Sequence, residues 1–180
     1  MEDLQRIWTD RYTVNWYEAD AMNRASIVTI CKYLQESAWN HANHLGCGYR
    51  TANAVNQIWV IVRLLVNMER FPSWGETITV RTWPRGLEGL LALRDFEVLD
   101  DQGTRIGAAA SQWLILDAQT RKPQPAMIVR DILPLVTSEP VMDEQPEKIH
   151  IHDPLPFQYT VKARYGDIDM YQHVNNTRYL

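Results

Sequence analysis

From Ser26 to about Leu45 the chain carries one long helical stripe, with Ile27, Ile30, Cys31, Leu34, Ala38 and Leu45 at i, i+3, i+4, i+7, i+11 and i+18. Val28, Tyr33 and Trp39 add apolar area on the other faces of the same helix, so it must be enclosed on most sides. Asn23 or Ser26 can cap its start and Gly46 its end. No second helix of similar length follows to supply that enclosure. The segments that do follow are strand-like, so the enclosing layer has to be a sheet.

Residues 11 to 17 are rich in β-branched and aromatic types and read as a strand ahead of the helix. After the helix, Ile58 to Arg70, Thr77 to Trp83, Leu90 to Leu99 and Arg105 to Asp117 alternate or run apolar as strands do. The turn signals between the last three pairs, 71–75, Pro84-Arg85-Gly86 and 100–103, are short enough to make antiparallel neighbours. One strand, one long helix and an antiparallel meander describe an α+β chain of the hot-dog type, a sheet curled around a single central helix. Another α+β meander is the competing architecture. The small stretch Gly107 to Ser111 inside the last strand suits close approach of the helix to the backbone.

A 180-residue chain that is 46% hydrophobic and 22% charged has the composition of a globular protein with a real core. A net charge of −4 argues against a general nucleic-acid binder or a polybasic membrane-surface protein. No apolar run approaches the ~20 residues needed to span a bilayer. The acidic opening, Met1 to Arg6, has no apolar stretch behind it, and two cysteines are too few for a disulfide framework, so the expected compartment is cytoplasmic.

Five of the nine prolines fall between Pro134 and Pro156, while all seven tryptophans lie at or before Trp113. That pattern predicts a first domain over 1–133, a Pro-rich linker over 134–156 and a second segment over 157–180. The second segment repeats the first. Tyr12-Thr13-Val14 returns as Tyr159-Thr160-Val161 at an offset of 147, which also carries Asp20 onto Asp167, and Lys32-Tyr33-Leu34 returns as Arg178-Tyr179-Leu180. On this reading residues 157–180 are the first strand and helix start of a second hot-dog repeat, incomplete in this chain.

The chemistry-bearing residues sit in that second copy. Arg164 to Asn176 would be a strand end, a loop and a helix start, with Asp169 and His173 facing the helix N-terminus. A His there can act as general base, a nearby carboxylate can fix its tautomer, and first-turn N–H groups can stabilise an oxyanion. Together these could activate water against a thioester. The matching loop of the first copy has Asp20 but Ser26 or Ile27 where His173 falls. The spacing is equally compatible with Asp167, Asp169 and Asn175 as turn and cap residues, and both readings stay open at this point. His41, His44 and Cys47 are metal-ligand types, but they stand at a helix end where His suits the dipole, and His150 and His152 alternate in the linker as solvated side chains, so no metal is expected.

The segment Asp-Ile-Asp-Met-Tyr-Gln-His-Val-Asn-Asn at 167–176 resembles the catalytic segment of the acyl-ACP thioesterases, Asp-x-Asn-x-His-Val-Asn-Asn. Ile58-Trp59-Val60 through Arg63, Glu69 to Glu76, Thr82-Trp83-Pro84 and Ala92 to Phe96 look like that family's first hot-dog domain. The resemblance implies a tandem of two hot-dog domains that hydrolyses acyl-ACP to free fatty acid and ACP, with the acyl pocket largely in the first domain and no cofactor. It implies Asp169 and His173 as catalytic, His173 polarising water or the thioester and Asp169 orienting it. The family's Asn falls on Tyr171, so either the Tyr171 hydroxyl or the amide of Asn175 or Asn176 would take that role. A further acidic or cysteine catalytic residue of the family would lie past Leu180. The implied partner is an acyl carrier protein carrying a fatty acyl chain, with a homodimer as a further possibility. The alternatives are a non-catalytic acyl or carrier-protein binding module and a hot-dog acyl-CoA thioesterase.

Overall fold

The computed structural model describes residues 5–130, 139–150, 157 and 159–180. The chain divides into two units between Pro146 and Glu147, inside the Pro-rich segment. Pro134, His152, Pro154 and Pro156 lie outside the described residues.

In the first unit β1 (Trp8–Thr13), β2 (Gln57–Met68), β3 (Thr77–Glu88), β4 (Leu91–Leu99) and β5 (Arg105–Asp117) form one antiparallel sheet in the order β1-β3-β4-β5-β2, with the short β6 (Pro123–Gln124) paired to β5. The helix α1 (Ile27–His44) packs on this sheet. Ile30, Leu34 and Ala38 meet Ile78, Val80, Phe96, Val98 and Ala109 in one core, and Leu34, Ile78 and Ala109 are wholly inaccessible. Each large aliphatic side chain hidden in this way contributes about 1.5–3 kcal/mol. Ala109 within that cluster explains the small-residue stretch of β5, since a larger side chain would push the helix off the sheet. Val129 of α3 (Met127–Arg130) forms a smaller cluster with Ile115 and Ala126. The architecture is the hot-dog arrangement expected from the order of elements.

Ser26 is the cap of α1, accepting from Thr29 N–H at 3.1 Å, whereas Asn23 lies in the preceding loop. At the other end Cys47 N–H reaches the Ala42 carbonyl and Gly46 N–H the Asn43 carbonyl, a Schellman closure that places Gly46 at φ +75°. The enclosure of α1 has a gap. Lys32, Glu36 and Asn43 are exposed, and Val28 and Trp39 are only half-buried. Trp39 stacks on Tyr49, 5.8 Å between centroids, and Tyr49 begins α2 (Tyr49–Ala54), a one-and-a-half-turn helix that no sequence period announced.

Two boundaries differ from expectation. The strand expected over 11–17 ends earlier, because Glu18 Oε2 accepts both the backbone and side-chain N–H of Asn15 and turns Trp16–Glu18 into a 3-10 turn. Trp16 and Tyr17 are therefore exposed turn residues. Pro84-Arg85-Gly86 is no hairpin turn. It is a bulge, with the register slipping between Pro84 and Gly86 at φ +141°, after which β3 pairs on to Glu88↔Leu91.

In the second unit, residues 159–164 form no strand, and Tyr159 and Val161 are exposed. β1 owes its form to pairing with β3, and among the described residues the second copy has no such partner strand. What does form is the turn, the hairpin and, where a helix start was expected, a capped 3-10 turn over Asn176–Arg178.

Candidate active site

Residues 164–179 fold through short local bonds. Arg164 N–H donates to Asp167 Oδ2 at 2.8 Å and opens a 3-10 turn over Tyr165–Asp167. Ile168 and Val174 then face one another as an isolated antiparallel bridge, closed by Asp169 N–H to the His173 carbonyl at 3.0 Å and Gln172 N–H to the Asp169 carbonyl at 2.9 Å. So tight a reversal needs a left-handed residue, and Gln172 supplies it at φ 61°. Asn175 caps the following turn, Asn176–Arg178, accepting from Thr177 N–H at 3.0 Å and the Thr177 hydroxyl at 2.8 Å.

This hairpin brings together Asp169, Tyr171, His173 and Asn175. Asp169 Oδ1 accepts Tyr171 N–H at 2.9 Å, while Oδ2 lies 3.5 Å from His173 Nδ1 and accepts Asn175 Nδ2 at 3.4 Å. The Tyr171 ring stacks on the imidazole at 5.9 Å and 8°. Asn176, half-buried at the start of the turn, contributes its carbonyl to Tyr179 N–H. His173 Nδ1 also faces the Val174 carbonyl at 3.4 Å, so both neighbours of Nδ1 are acceptors. That places the ring proton on Nδ1 and leaves Nε2 as the basic nitrogen. With 46% of the His173 side chain exposed, the pairing with Asp169 adds at most about 1 kcal/mol of stability, so its consequence is orientation.

The first unit contains the same construction. Trp16–Glu18 is the turn, Ala19↔Ala25 the bridge, Asp20 N–H bonds the Arg24 carbonyl at 2.7 Å, Asn23 N–H bonds the Asp20 carbonyl at 3.0 Å, and Asn23 takes φ 62°. Matching bond for bond equates Asp20 with Asp169, an offset of 149, and pairs Met22 with Tyr171, Arg24 with His173 and Ser26 with Asn175. This corrects the offset of 147, which set Asp20 against Asp167 and Ser26 or Ile27 against His173. Two extra residues enter the second copy between its Tyr-Thr-Val and the turn. The first copy therefore presents a guanidinium where the second presents an imidazole.

A second polar cluster, inside the first unit, was not read from the sequence. Arg94, 9% exposed, donates through Nη1 to His41 Nδ1 and Thr82 Oγ1, both at 3.1 Å, and no carboxylate pairs with it among the described residues. Because a guanidinium only donates, His41 Nδ1 must accept, and its Nε2–H donates to the Gln5 carbonyl at 2.8 Å. Burial, reinforced by the Arg94 charge, pushes His41 down to about 4. His44 accepts Gln5 N–H, so the histidines of the helix end are taken up by structure. Among the described residues no three His, Cys, Asp or Glu side chains are placed to hold a metal ion, and no helix is long and apolar enough to cross a membrane. Its sequence signals were His41, read there only as a helix-end side chain, and Arg94 within a strand of mostly apolar residues.

Residues 5–134 match the acyl-ACP thioesterase N-terminal domain, and residues 153–180 match the corresponding C-terminal domain. The chain belongs to the acyl-ACP thioesterase family. A chloroplastic palmitoyl-ACP thioesterase of Arabidopsis thaliana is 32% identical over 97% of this family member, which covers 45% of that protein. A chloroplastic oleoyl-ACP thioesterase of the same plant is 30% identical over 96%, and 52% of it is covered. The chain thus spans about half the length of the curated relatives it matches. Among solved structures, an acyl-ACP thioesterase from Bacteroides thetaiotaomicron superimposes with a TM-score of 0.82 at 30% identity, covering 97% of this chain and 70% of that one. The 12:0-ACP thioesterase of Umbellularia californica gives 0.83 at 26% identity, over 98% and 68%.

Proposed function

We propose that the protein hydrolyses the thioester of fatty acyl-ACP to free fatty acid and ACP, with His173 as general base and Asp169 as its orienting carboxylate. The observation that carries this reading is the Asp169–His173 contact, 3.5 Å, in a hairpin whose sequence resembles the family's catalytic segment. With the ring proton on Nδ1 turned to Asp169, Nε2 can take a proton from water as the oxygen attacks the acyl carbon. Collapse of the tetrahedral intermediate breaks the C–S bond, and the proton returns from Nε2 to sulfur, releasing the ACP thiol and the fatty acid. Asp169 stabilises the imidazolium between those steps.

The family's amide position holds Tyr171, so the polar groups beside His173 are the Tyr171 hydroxyl and Asn175 Nδ2. The Asn175 oxygen is committed to its cap, and its Nδ2 already contacts Asp169. Tyr171 stacked on the imidazole is thus the nearer candidate to steady the water or the substrate oxygen. A fatty acyl chain on ACP is the substrate class because relatives are named for palmitoyl-, oleoyl- and 12:0-ACP. Two buried free cysteines, Cys31 and Cys47, fit the cytoplasmic reading. A homodimer contact would fall on the outer edge of β2, a twelve-residue strand that pairs with β5 on its inner edge and with no other strand among the described residues.

The test is to incubate the intact protein with acyl-ACP in H₂¹⁸O. Hydrolysis predicts free ACP thiol together with one labelled oxygen in the fatty acid. Binding without thiol release would favour the non-catalytic module, and faster turnover of acyl-CoA than of acyl-ACP would favour the other carrier.

A further inference from the structure

β4 turns Arg94 toward α1 and Asp95 to the opposite face of the sheet, between its cross-strand neighbours Trp83 and Ala110. A carboxylate on the outer face of a sheet is normally wet, yet Asp95 is 0% exposed. Against it lies Val141, in the segment 139–146, which carries no regular structure and belongs to the same unit as the sheet. Val141 N–H donates to Asp95 Oδ2 at 3.1 Å. Arg85 Nε approaches Asp95 Oδ1 at 3.3 Å, and Arg85 Nη2 donates to the Gln145 side-chain oxygen. Gln145 in turn ties its own segment by donating to the carbonyls of Met142 and Glu144.

This covering segment has little else to hold it. It pairs with no strand, Val141 and Met142 are only half-buried, and Pro146 is its one fully buried side chain. A buried carboxylate kept there is costly unless it is satisfied. Asp95 lies beside the Arg85 charge of β3 but accepts one hydrogen bond, from Val141 N–H at Oδ2, its Oδ1 having none, so unseating the segment would strip the carboxylate of that bond. We propose that Asp95 and Arg85 form a clamp that fixes residues 139–146 on the outer face of the first domain and thereby sets where the chain leaves it.

The test uses the intact protein and two variants that act from opposite sides of the contact. Asp95→Asn removes the charge with little change of shape, and Val141→Pro removes the donor and leaves the sheet untouched. In hydrogen exchange, Asp95→Asn should speed exchange of the Val141 amide at least about tenfold, with both variants loosening the 142–146 amides and neither disturbing the amides of β4 and β5. Unchanged exchange over 141–146 in Asp95→Asn would overturn the clamp.

Discussion

His41 makes the stability of the first domain depend on pH in a way that can be worked out from its contacts. The ring is fully buried, accepts from Arg94 at Nδ1 and donates from Nε2 to Gln5. Burial disfavours the charged ring, and protonation would also place a second cation against the guanidinium, so His41 sits at about 4 in the folded state against 6.5 for a free His. The sign follows directly. At pH 7 both states hold His41 neutral and nothing is lost; as pH falls below about 6.5 the unfolded chain takes up a proton that the fold refuses, and stability drops until about pH 4. The full difference is about 3 kcal/mol at about 1.4 kcal/mol per pH unit, of which about 2 kcal/mol is lost between pH 7 and 5.

Other groups titrate in the same range. Hydrogen bonds hold Glu76 and Asp117 low, while burial pushes Asp95 up, so the wild-type curve alone does not isolate His41. His41→Gln does, because a carboxamide can still accept from Arg94 and donate to the Gln5 carbonyl but has no proton to gain. Urea unfolding followed by Trp fluorescence at pH 7, 6 and 5 should show the wild type losing about 2 kcal/mol more than His41→Gln over that span. Equal pH slopes in the two proteins, or an NMR titration with His41 near 6.5, would refute the reasoning.

Leu34→Ala empties a wholly buried site between α1 and the sheet and should cost about 3 kcal/mol in urea unfolding. Ser26→Ala deletes the cap on Thr29 N–H and should cost about 1 kcal/mol, whereas Asn23→Ala leaves that cap intact; equal losses would misplace the cap. In steady-state acyl-ACP hydrolysis, Asp169→Asn should lower kcat by more than tenfold, because an amide no longer enforces the Nδ1–H tautomer. Tyr171→Phe should fall less unless its hydroxyl has replaced the family's amide, in which case the two variants fall together.

The long helix and the antiparallel sheet were legible because each expresses a strong period: Ile30, Leu34 and Ala38 on one stripe, and Ile78 and Val80 alternating with Thr79 and Arg81. The gap in the enclosure was not, since the apolar ring of Trp39 reads as core whether a sheet covers it or the short helix at Tyr49 does. Boundaries failed where a side chain overrode propensity. Glu18 reaching back to Asn15 stops β1 among aromatic residues that favour strands, and a bulge absorbs Pro84 to Gly86 where composition signals a turn. The candidate site was legible as a cluster of residue types, Asp169, Tyr171, His173 and Asn175, but the hairpin that brings them together is made of backbone bonds that no side chain announces. The same bonds moved the repeat from an offset of 147 to 149 and put Arg24 opposite His173. Arg94 and His41 stayed hidden because they are 53 positions apart in sequence and meet only across the helix–sheet interface.

The central claim is that His173 activates water against an acyl-ACP thioester. It is tested most directly by thiol release from acyl-ACP in the intact wild-type protein and in His173→Ala, with binding of acyl-ACP measured alongside. The account predicts rapid release by the wild type and a fall of about 10²–10⁴-fold in His173→Ala, with the fold and the affinity for acyl-ACP unchanged. Release by His173→Ala at the wild-type rate would contradict it.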